Sequence, residues 1–136
     1  MTKTSTDVCD DDGNWNDSGY PIGYVHDGDE TTKGHSDILT AGTQVWVEYS
    51  FSGAKTLTKA SILEDNAGNH EIGAWKVQYY DGTWKDAFSL TSSNSSSWQY
   101  MDFPDIPNVT AIRLVVTTPA TSEPRAEVLE FECYGY

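Results

Sequence analysis

The sequence predicts an all-β fold, a sandwich of seven or eight antiparallel strands. Apolar and polar residues alternate along several segments, which is the pattern of half-buried strands. No segment keeps a helical period of apolar residues for three turns. An Asp81-Gly82 pair separates two alternating segments, and both residues tolerate the positive φ of a tight hairpin turn. Together these observations indicate an antiparallel β domain.

The strands can be assigned in order along the chain. In TQVWVEYSF, residues 43–51, Val45, Val47 and Tyr49 share one face while Trp46 and Glu48 take the other, as a half-buried strand requires. By the same criterion, further strands are expected at 57–64, 75–80, 84–88, 98–103, 111–118 and 127–135. Long polar connections remain at 10–42, 65–72, 91–97 and 118–126, and a rigid β scaffold usually carries its recognition groups on such loops.

Length and charge restrict the class of protein. A chain of 136 residues is about one domain long, and we expect a leader or linker remnant at 1–8 followed by a single module at 9–136. Eight basic residues against twenty-one acidic ones give a net charge of −13, which disfavours nucleic acid and membrane surfaces as partners. Five Trp and eight Tyr exceed what a small core needs, and surplus aromatic rings are common at stacking sites.

The N-terminal segment MTKTSTDV lacks the apolar centre of a signal peptide. We therefore expect a module from a longer secreted protein, extracellular in location, whose targeting signal lies outside this chain. We expect the module itself to be monomeric.

Two cysteines, Cys9 and Cys133, lie near the two ends of the chain. If the first and last strands are neighbours, a disulfide between them is geometrically reasonable and would close a long loop. Two separate buried thiols are the alternative, and the cysteine count leaves both open.

Four segments taken in order resemble the discoidin, or coagulation-factor type C, superfamily. They are the acidic DGD-x-x-T loop at 27–32, the WKVQYYDGTW hairpin, the IRLVV strand and the final EFECYG. The resemblance covers about residues 9–135. It implies a galactose-binding-like jelly roll. It also implies a non-catalytic carbohydrate-binding module of the kind that bacteria commonly append to glycoside hydrolases.

In the family that the chain resembles, the acidic loop binds a structural calcium ion. The matching positions are the side chains of Asp27 and Asp29, the hydroxyl and carbonyl oxygens of Thr32, the backbone carbonyls of Tyr24 and Leu129, and the Glu130 carboxylate. Calcium prefers six to eight such oxygens, and a glycine-centred loop lets several of them converge. An ordinary exposed turn is the alternative, because Asp-Gly is a common turn pair.

Sugar sites in that family lie in loops at one end of the sandwich, where an aromatic ring stacks on a sugar face and polar groups bond its hydroxyls. The resemblance points to His35 and to Glu64, Asn66, Asn69 and His70 of the second loop. Arg125 lies just before the last strand, from which it would reach the same rim. For the aromatic platform we expect Trp98 in SSNSSSW first and Trp15 in GNWNDSGY second, because both are surrounded by small polar residues.

Two other function classes compete with carbohydrate binding. An adhesion or protein-docking discoidin domain remains open, whereas a lipid-binding one would need a basic belt that this acidic chain lacks. A glycosidase would need two carboxylates facing a cleft, and the sequence spacing sets no such pair apart from other acids.

Overall fold

The computed structural model describes residues 2–3, 8–65, 72–92 and 97–136, with side chains for 10–65, 72–91 and 97–136. Within these ranges lie nine strands: β1 Thr2–Lys3, β2 Val8–Asp11, β3 Gly34–His35, β4 Gln44–Glu64, β5 Ala74–Tyr80, β6 Trp84–Asp86, β7 Thr91–Ser92, β8 Gln99–Thr117 and β9 Glu127–Gly135. A 3₁₀-helix at Ile22–His26 lies in the first long connection. The predicted all-β class is confirmed. In the ranges given, no helix has the length and apolar character needed to cross a membrane.

Two long strands, β4 and β8, form the frame of the sandwich. They pair antiparallel from Gln44↔Thr117 to Ile62↔Gln99, with register shifts in the middle of the pairing. The first half of β4 also pairs with β2, and the second half pairs with β9. The second half of β8 pairs with β5, which in turn pairs with β6 and β7. The chain therefore forms a front sheet of β2, β4, β8, β5, β6 and β7, and a back sheet of β1, β3, β9, β4 and β8.

The sequence predicted four strands where the structure has two. The segments 43–51 and 57–64 are both parts of β4, and 98–103 and 111–118 are both parts of β8. Register shifts between Ser50 and Lys59 mark the places where the paired strands bend from the front sheet into the back sheet. Irregularities of this kind let one strand turn a corner without ending, which is why a break in alternation did not mean a loop.

The core lies between the two sheets. Val45, Val47 and Tyr49 are buried as the alternation predicted, while Trp46 and Glu48 are half-buried on the other face. The Tyr49 ring of the front sheet contacts the Phe131 ring of the back sheet, with 6.0 Å between ring centroids. This contact joins the two layers across the core.

Trp15 belongs to this core, which corrects its prediction as an exposed stacking platform. Its side chain is only 6 % exposed and packs with the buried apolar cluster. The next residue anchors the loop, because the Asn16 amide Nδ2 donates to Asp37 Oδ2 at 2.8 Å. A polar neighbourhood in sequence therefore surrounds a ring that points inward.

The chain ends approach each other through β4 and β9. Lys3 pairs with Tyr134 in the back sheet, although residues 1–8 were expected to be a leader. Cys9 is in register with Tyr49, and Cys133 is in register with Ala60 of the same strand. Cys133 is fully buried, and burial raises the pKa of its thiol. The Cys9 side chain lies outside the described side chains, so the disulfide stays a prediction.

We predict that Cys9 and Cys133 are joined in protein produced under oxidising conditions. The intact mass should be lower by two hydrogen atoms and should rise on reduction. Because the bridge would close most of the chain into one loop, Cys9→Ser should lower the unfolding free energy by about 4–5 kcal/mol before any strain is counted. The control is Cys9→Ser compared with the parent protein when both are fully reduced, because no bridge is then present to be lost. An intact mass that reductant leaves unchanged contradicts the prediction.

Candidate functional site

Glu127, the first residue of β9, gathers three nitrogen-bearing side chains from different parts of the sequence. Its Oε1 accepts a hydrogen bond from Arg125 Nε at 2.8 Å and lies 3.4 Å from His35 Nε2. Its Oε2 lies 3.7 Å from Lys33 Nζ. Pairing of the two-residue strand β3 with β9 sets His35 directly opposite Glu127. The Glu127 side chain is 1 % exposed, so its charge is balanced by groups of the protein rather than by bulk water.

Two further residues complete this group. Lys33 Nζ also lies 2.5 Å from Asp65 Oδ2, and the Asp65 amide donates to the Glu127 carbonyl at 3.5 Å. The Tyr20 ring stacks on the His35 ring, with 3.8 Å between centroids and an angle of 8° between planes. Tyr20 is 40 % exposed. We call Tyr20, Lys33, His35, Asp65, Arg125 and Glu127 the Glu127 cluster.

Two of the residues expected to bind ligand, His35 and Arg125, belong to the Glu127 cluster, but they differ in their exposure to solvent. Arg125 lies at the surface of the Glu127 cluster with 20 % of its side chain exposed. His35 is 2 % exposed and lies behind Tyr20, with its Nδ1 3.6 Å from Asp17 Oδ2. A buried imidazole cannot reach a ligand at the surface directly. Its place therefore corrects the expected role, because His35 orients Tyr20 and Glu127 instead.

Glu64 is also buried, at 1 % exposure, which corrects its expected role as a surface contact. Its Oε2 accepts a hydrogen bond from the Ile72 amide at 3.1 Å, and its Oε1 accepts one from Gln99 Nε2 at 3.4 Å. The carboxylate thus joins the two ends of the loop 65–72. The other candidates in this loop, Asn66, Asn69 and His70, lie outside the described residues.

Trp98 contacts different residues from those of the Glu127 cluster. Its indole Nε1 donates to Glu30 Oε1 at 2.8 Å, and its ring stacks against Tyr100 with 6.3 Å between centroids. Tyr100 is 54 % exposed. Since Met101 packs against the core, Tyr100 faces outward from the back sheet. Trp98 therefore belongs to an aromatic pair on that outer face.

The acidic loop organises its own oxygen atoms. Asp27 Oδ2 accepts a hydrogen bond from the Thr32 hydroxyl at 2.6 Å, and Asp27 Oδ1 accepts one from the Asp29 amide at 2.9 Å. Asp29 Oδ1 accepts bonds from the Thr31 hydroxyl and amide. These bonds, the side-chain one most strongly, hold the pKa of Asp29 below its usual range. Both carboxylates are thus fixed in position by neighbouring loop groups, and the Asp29 carboxylate is ionised at neutral pH.

The acidic loop follows directly after the 3₁₀-helix Ile22–His26, and this helix packs on β9. His26 Nδ1 donates to the Phe131 carbonyl at 2.7 Å. Carbonyls alternate between the edges of a strand, so the Leu129 carbonyl is expected on the same edge. Phe131 lies in the core, and the adjacent Glu130 is 0 % exposed. The loop and strand positions expected to bind calcium are therefore on neighbouring elements.

The side chains alone do not form a metal centre rich in carboxylates. In residues 10–65, 72–91 and 97–136, no group of three or more His, Cys, Asp or Glu side chains is placed to hold a metal ion. A calcium site here would have to take a large share of its oxygens from backbone carbonyls and the Thr32 hydroxyl, which calcium accepts. Tyr24, whose carbonyl is one expected ligand, is 38 % exposed.

Sequence reasoning missed four members of the Glu127 cluster, namely Tyr20, Lys33, Asp65 and Glu127. Their meeting depends on β3, which is only two residues long and has no alternation to detect. Tyr20 could have been suspected as an aromatic residue in a polar loop beside Pro21, but the same signal applied to Trp15 gives a buried ring.

Residues 1–131 match the family model of the F5/8 type C domain. No curated protein has a significantly similar sequence. Among solved structures, the CBM32 module of AlyQ in complex with 4,5-unsaturated mannuronic acid is similar at 12 % identity and a TM-score of 0.76, over 98 % of each chain. Chitosan-binding module 1 of a chitosanase/glucanase from Paenibacillus sp. IK-5 has 16 % identity and a TM-score of 0.77, over 94 % of each chain. A CBM32 module from Clostridium perfringens, in complex with GalNAc-β-1,3-galactose, has 15 % identity and a TM-score of 0.77, also over 94 % of each chain.

We predict that Glu127 is the electrostatic centre of its cluster. Glu127→Gln removes the charge that Arg125 and Lys33 bond, and it should lower the unfolding free energy by about 1.5–3 kcal/mol, the range for hydrogen bonds to charged groups. Glu123→Gln is the matched control. Glu123 is half exposed and lies 3.6 Å from the same arginine, so its loss should change stability by less than about 0.5 kcal/mol. Urea unfolding at neutral pH measures both, and equal effects would contradict the assignment.

Proposed function

Because the chain belongs to the F5/8 type C domain family, we propose that it is a non-catalytic carbohydrate-binding module whose glycan site is the Glu127 cluster. The proposal rests on one observation. The exposed Tyr20 ring lies in the same cluster as the donors Lys33 and Arg125 and the acceptor Asp65, all held by ion pairs. Three similar structures are carbohydrate-binding modules, and two of them contain bound saccharides. This supports the function without assigning a particular sugar.

The chemistry of the cluster suits a sugar. A pyranose presents an apolar C–H face and a rim of hydroxyls, and Tyr20 offers an exposed ring for the face. Lys33 and Arg125 donate hydrogen bonds while Asp65 accepts them, and each side chain is about one-fifth exposed or slightly less. Their ion pairs fix these groups before ligand arrives, which reduces the entropy lost on binding.

The same geometry argues for binding rather than hydrolysis. Glycoside hydrolysis needs one carboxylic acid with a raised pKa and a second carboxylate across the scissile bond. Here Glu127 is bonded by Arg125, and Asp65 is bonded by Lys33. Cationic neighbours stabilise the ionised form of a carboxyl group. Both carboxylates are therefore engaged in ion pairs within the protein.

A structural calcium ion is the second part of the proposal. The Asp27 and Asp29 carboxylates, the Thr32 hydroxyl and carbonyl, the carbonyls of Tyr24 and Leu129, and the Glu130 carboxylate would hold the ion. Glu130 lies on β9, the strand on which the 3₁₀-helix before the acidic loop packs, and its carboxylate is an oxygen ligand of the kind that calcium accepts. When bound, the ion would neutralise the acidic loop and tie it to β9.

The biological context follows from this function. A weak single site gains from attachment to an enzyme, because it raises the local concentration of that enzyme on its polysaccharide. We therefore propose that the module is part of a larger, extracellular glycan-active protein.

Protein docking is a second candidate function, favoured by one observation. Tyr100 is 54 % exposed and stacks against Trp98 on the outer face of the back sheet. Exposed aromatic pairs of this kind are frequent anchors of protein interfaces.

We predict that Lys33→Ala and Tyr20→Ala each weaken glycan binding at least tenfold, since both remove a group that contacts the ligand. Lys85→Ala and Tyr136→Ala are matched controls, because both residues are exposed and lie outside the cluster. A panel of neutral and acidic oligosaccharides identifies a ligand, and calorimetry then gives its dissociation constant, expected between micromolar and millimolar.

Equal affinity of the parent protein and both cluster variants for that ligand would place its site elsewhere. If no saccharide binds and a purified protein partner is lost on Tyr100→Ala, protein docking replaces the proposal.

We also predict that EDTA lowers the melting temperature and that added calcium restores it. At a free calcium concentration of about one hundred times the dissociation constant, bound ion should contribute about 2.7 kcal/mol. Glu130→Gln should abolish the calcium response, whereas Asp102→Asn, an exposed acid on β8, should keep it. A melting curve that neither EDTA nor calcium moves contradicts the calcium site.

A further inference from the structure

A cavity of about 360 Å³ lies on the outer face of the front sheet. None of the residues that line it belongs to the Glu127 cluster. Its size lies in the lower part of the usual range for ligand sites, roughly 300–1,000 Å³. It is lined by Glu48, Ser50, Tyr80, Trp84, Thr110, Ala111 and Arg113.

The strand register explains the shape of this cavity. Ser50, Ala111 and Tyr80 are consecutive cross-strand partners, and Tyr80 is in turn the partner of Trp84. Ile112 and Leu114 face the core, so Ala111 and Arg113 between them face outward. The small Ser50 and Ala111 side chains form a low floor between larger neighbours.

One wall of the cavity is aromatic. The Tyr80 and Trp84 rings lie 5.4 Å apart between centroids, with an angle of 55° between their planes. Tyr80 is 37 % exposed, which leaves ring surface available to a ligand. An aromatic wall above a shallow floor is the arrangement on which the apolar face of a pyranose can stack.

A fixed pair of charges lies next to the Trp84 end of this aromatic wall. The Arg113 guanidinium carbon lies 3.9 Å from the Trp46 ring centroid and 3.8 Å from the Trp84 ring centroid, so two indoles sandwich the guanidinium. Arg113 Nε donates to Glu48 Oε1 at 2.9 Å. In the part of the chain that the structure describes, no other protein hydrogen bond to Arg113 occurs, so its terminal N–H groups remain for a ligand.

We propose that this cavity is a second saccharide site that takes one neutral pyranose ring of a glycan. The exposed Tyr80 ring receives the sugar face and Trp84 holds Arg113 beside it. Arg113 donates to the sugar hydroxyls, and Glu48 and the Thr110 hydroxyl accept from them. A neutral sugar is favoured because Glu48 already balances the charge of Arg113 and the chain has a net charge of −13. The inference shares glycan binding with the proposed function but does not need the Glu127 cluster.

Spectroscopy of the indole N–H groups can test the second site separately. The chain has five Trp, so ¹H–¹⁵N spectra should show five indole signals, and Trp84→Phe and Trp46→Phe identify the two of this cavity. The background is the Tyr20→Ala protein, in which the Glu127 cluster is disabled. The probes are neutral oligosaccharides of β-1,4-linked glucose, N-acetylglucosamine and galactose, with a uronic acid oligosaccharide alongside.

The blocking variant is Ala111→Leu, which fills the floor of the cavity and leaves Trp46, Trp84 and Arg113 unsubstituted. Gln78→Leu is its control, because Gln78 lies on the same face of the sheet outside the cavity lining. Circular dichroism and melting curves check that both variants fold. We expect a neutral probe to shift the Trp84 signal in the Tyr20→Ala background. Ala111→Leu should weaken that response at least tenfold, and Gln78→Leu should leave it unchanged.

The outcomes separate the two sites. A Trp84 signal that no probe moves, or that moves equally in the Ala111→Leu variant, overturns the second site. The Glu127 cluster is then still decided by the calorimetry of Lys33→Ala and Tyr20→Ala. Ligand binding that Ala111→Leu abolishes and Tyr20→Ala leaves intact overturns the Glu127 cluster and supports the second site. A response to the uronic acid probe alone overturns the preference for neutral sugars. If, in addition, calorimetry detects no binding of any probe to the parent protein, both sites are overturned.

Discussion

The pairing of β4 with β8 on one side and β9 on the other is the constraint on which the rest of the structure depends. One half of β4 lies in the front sheet and the other half in the back sheet, so both layers are aligned by a single continuous strand. The Tyr49 and Phe131 rings then lock the layers together through the core. Because β9 is fixed in this way, Glu127 at its start and Glu130 three residues later occupy defined positions. Lys33 and His35 of the first long connection then contact the Glu127 carboxylate.

Cationic side chains are few in this acidic chain, and their positions affect both proposed glycan sites. Only eight residues are Lys or Arg, and several of them are committed to specific carboxylates. Lys33 and Arg125 bond Glu127, whereas Arg113 bonds Glu48. Elsewhere Lys85 pairs with Asp81 on the hairpin, and that bond raises the pKa of the lysine and lowers that of the aspartate. The exposed hairpin pair contributes little to stability. The cations around Glu127 and Glu48 instead set donor geometry at the surface.

How much the sequence predicts depends on whether a feature is local. Alternation at 43–51 correctly placed Val45 and Val47 in the core, because the side-chain period of a strand is a local property. The bends of β4 and β8 were missed, because alternation resumes after each bulge and resembles a new strand. The loop that carries the buried Trp15 is held by a hydrogen bond between Asn16 and Asp37, which are 21 residues apart in the sequence. Assembly of the Glu127 cluster depends on β3, which is too short to show a pattern. Features that depend on distant contacts were therefore beyond sequence reasoning.

The two arginine pairs suggest how the domain selects its ligands. In both pairs a carboxylate neutralises the guanidinium, Glu127 for Arg125 and Glu48 for Arg113. An aromatic ring belongs to each place, because Trp84 lies against Arg113 and Tyr20 stacks on His35 beside Glu127. A compensated arginine still donates directional hydrogen bonds, but it exerts little net attraction on an anion. The overall charge of −13 adds a repulsive field for acidic polymers. As proposed glycan sites, both places would discriminate by hydroxyl pattern and ring face rather than by charge. The pairing of these few cations with carboxylates is therefore the physical reason for the proposed preference for uncharged sugars.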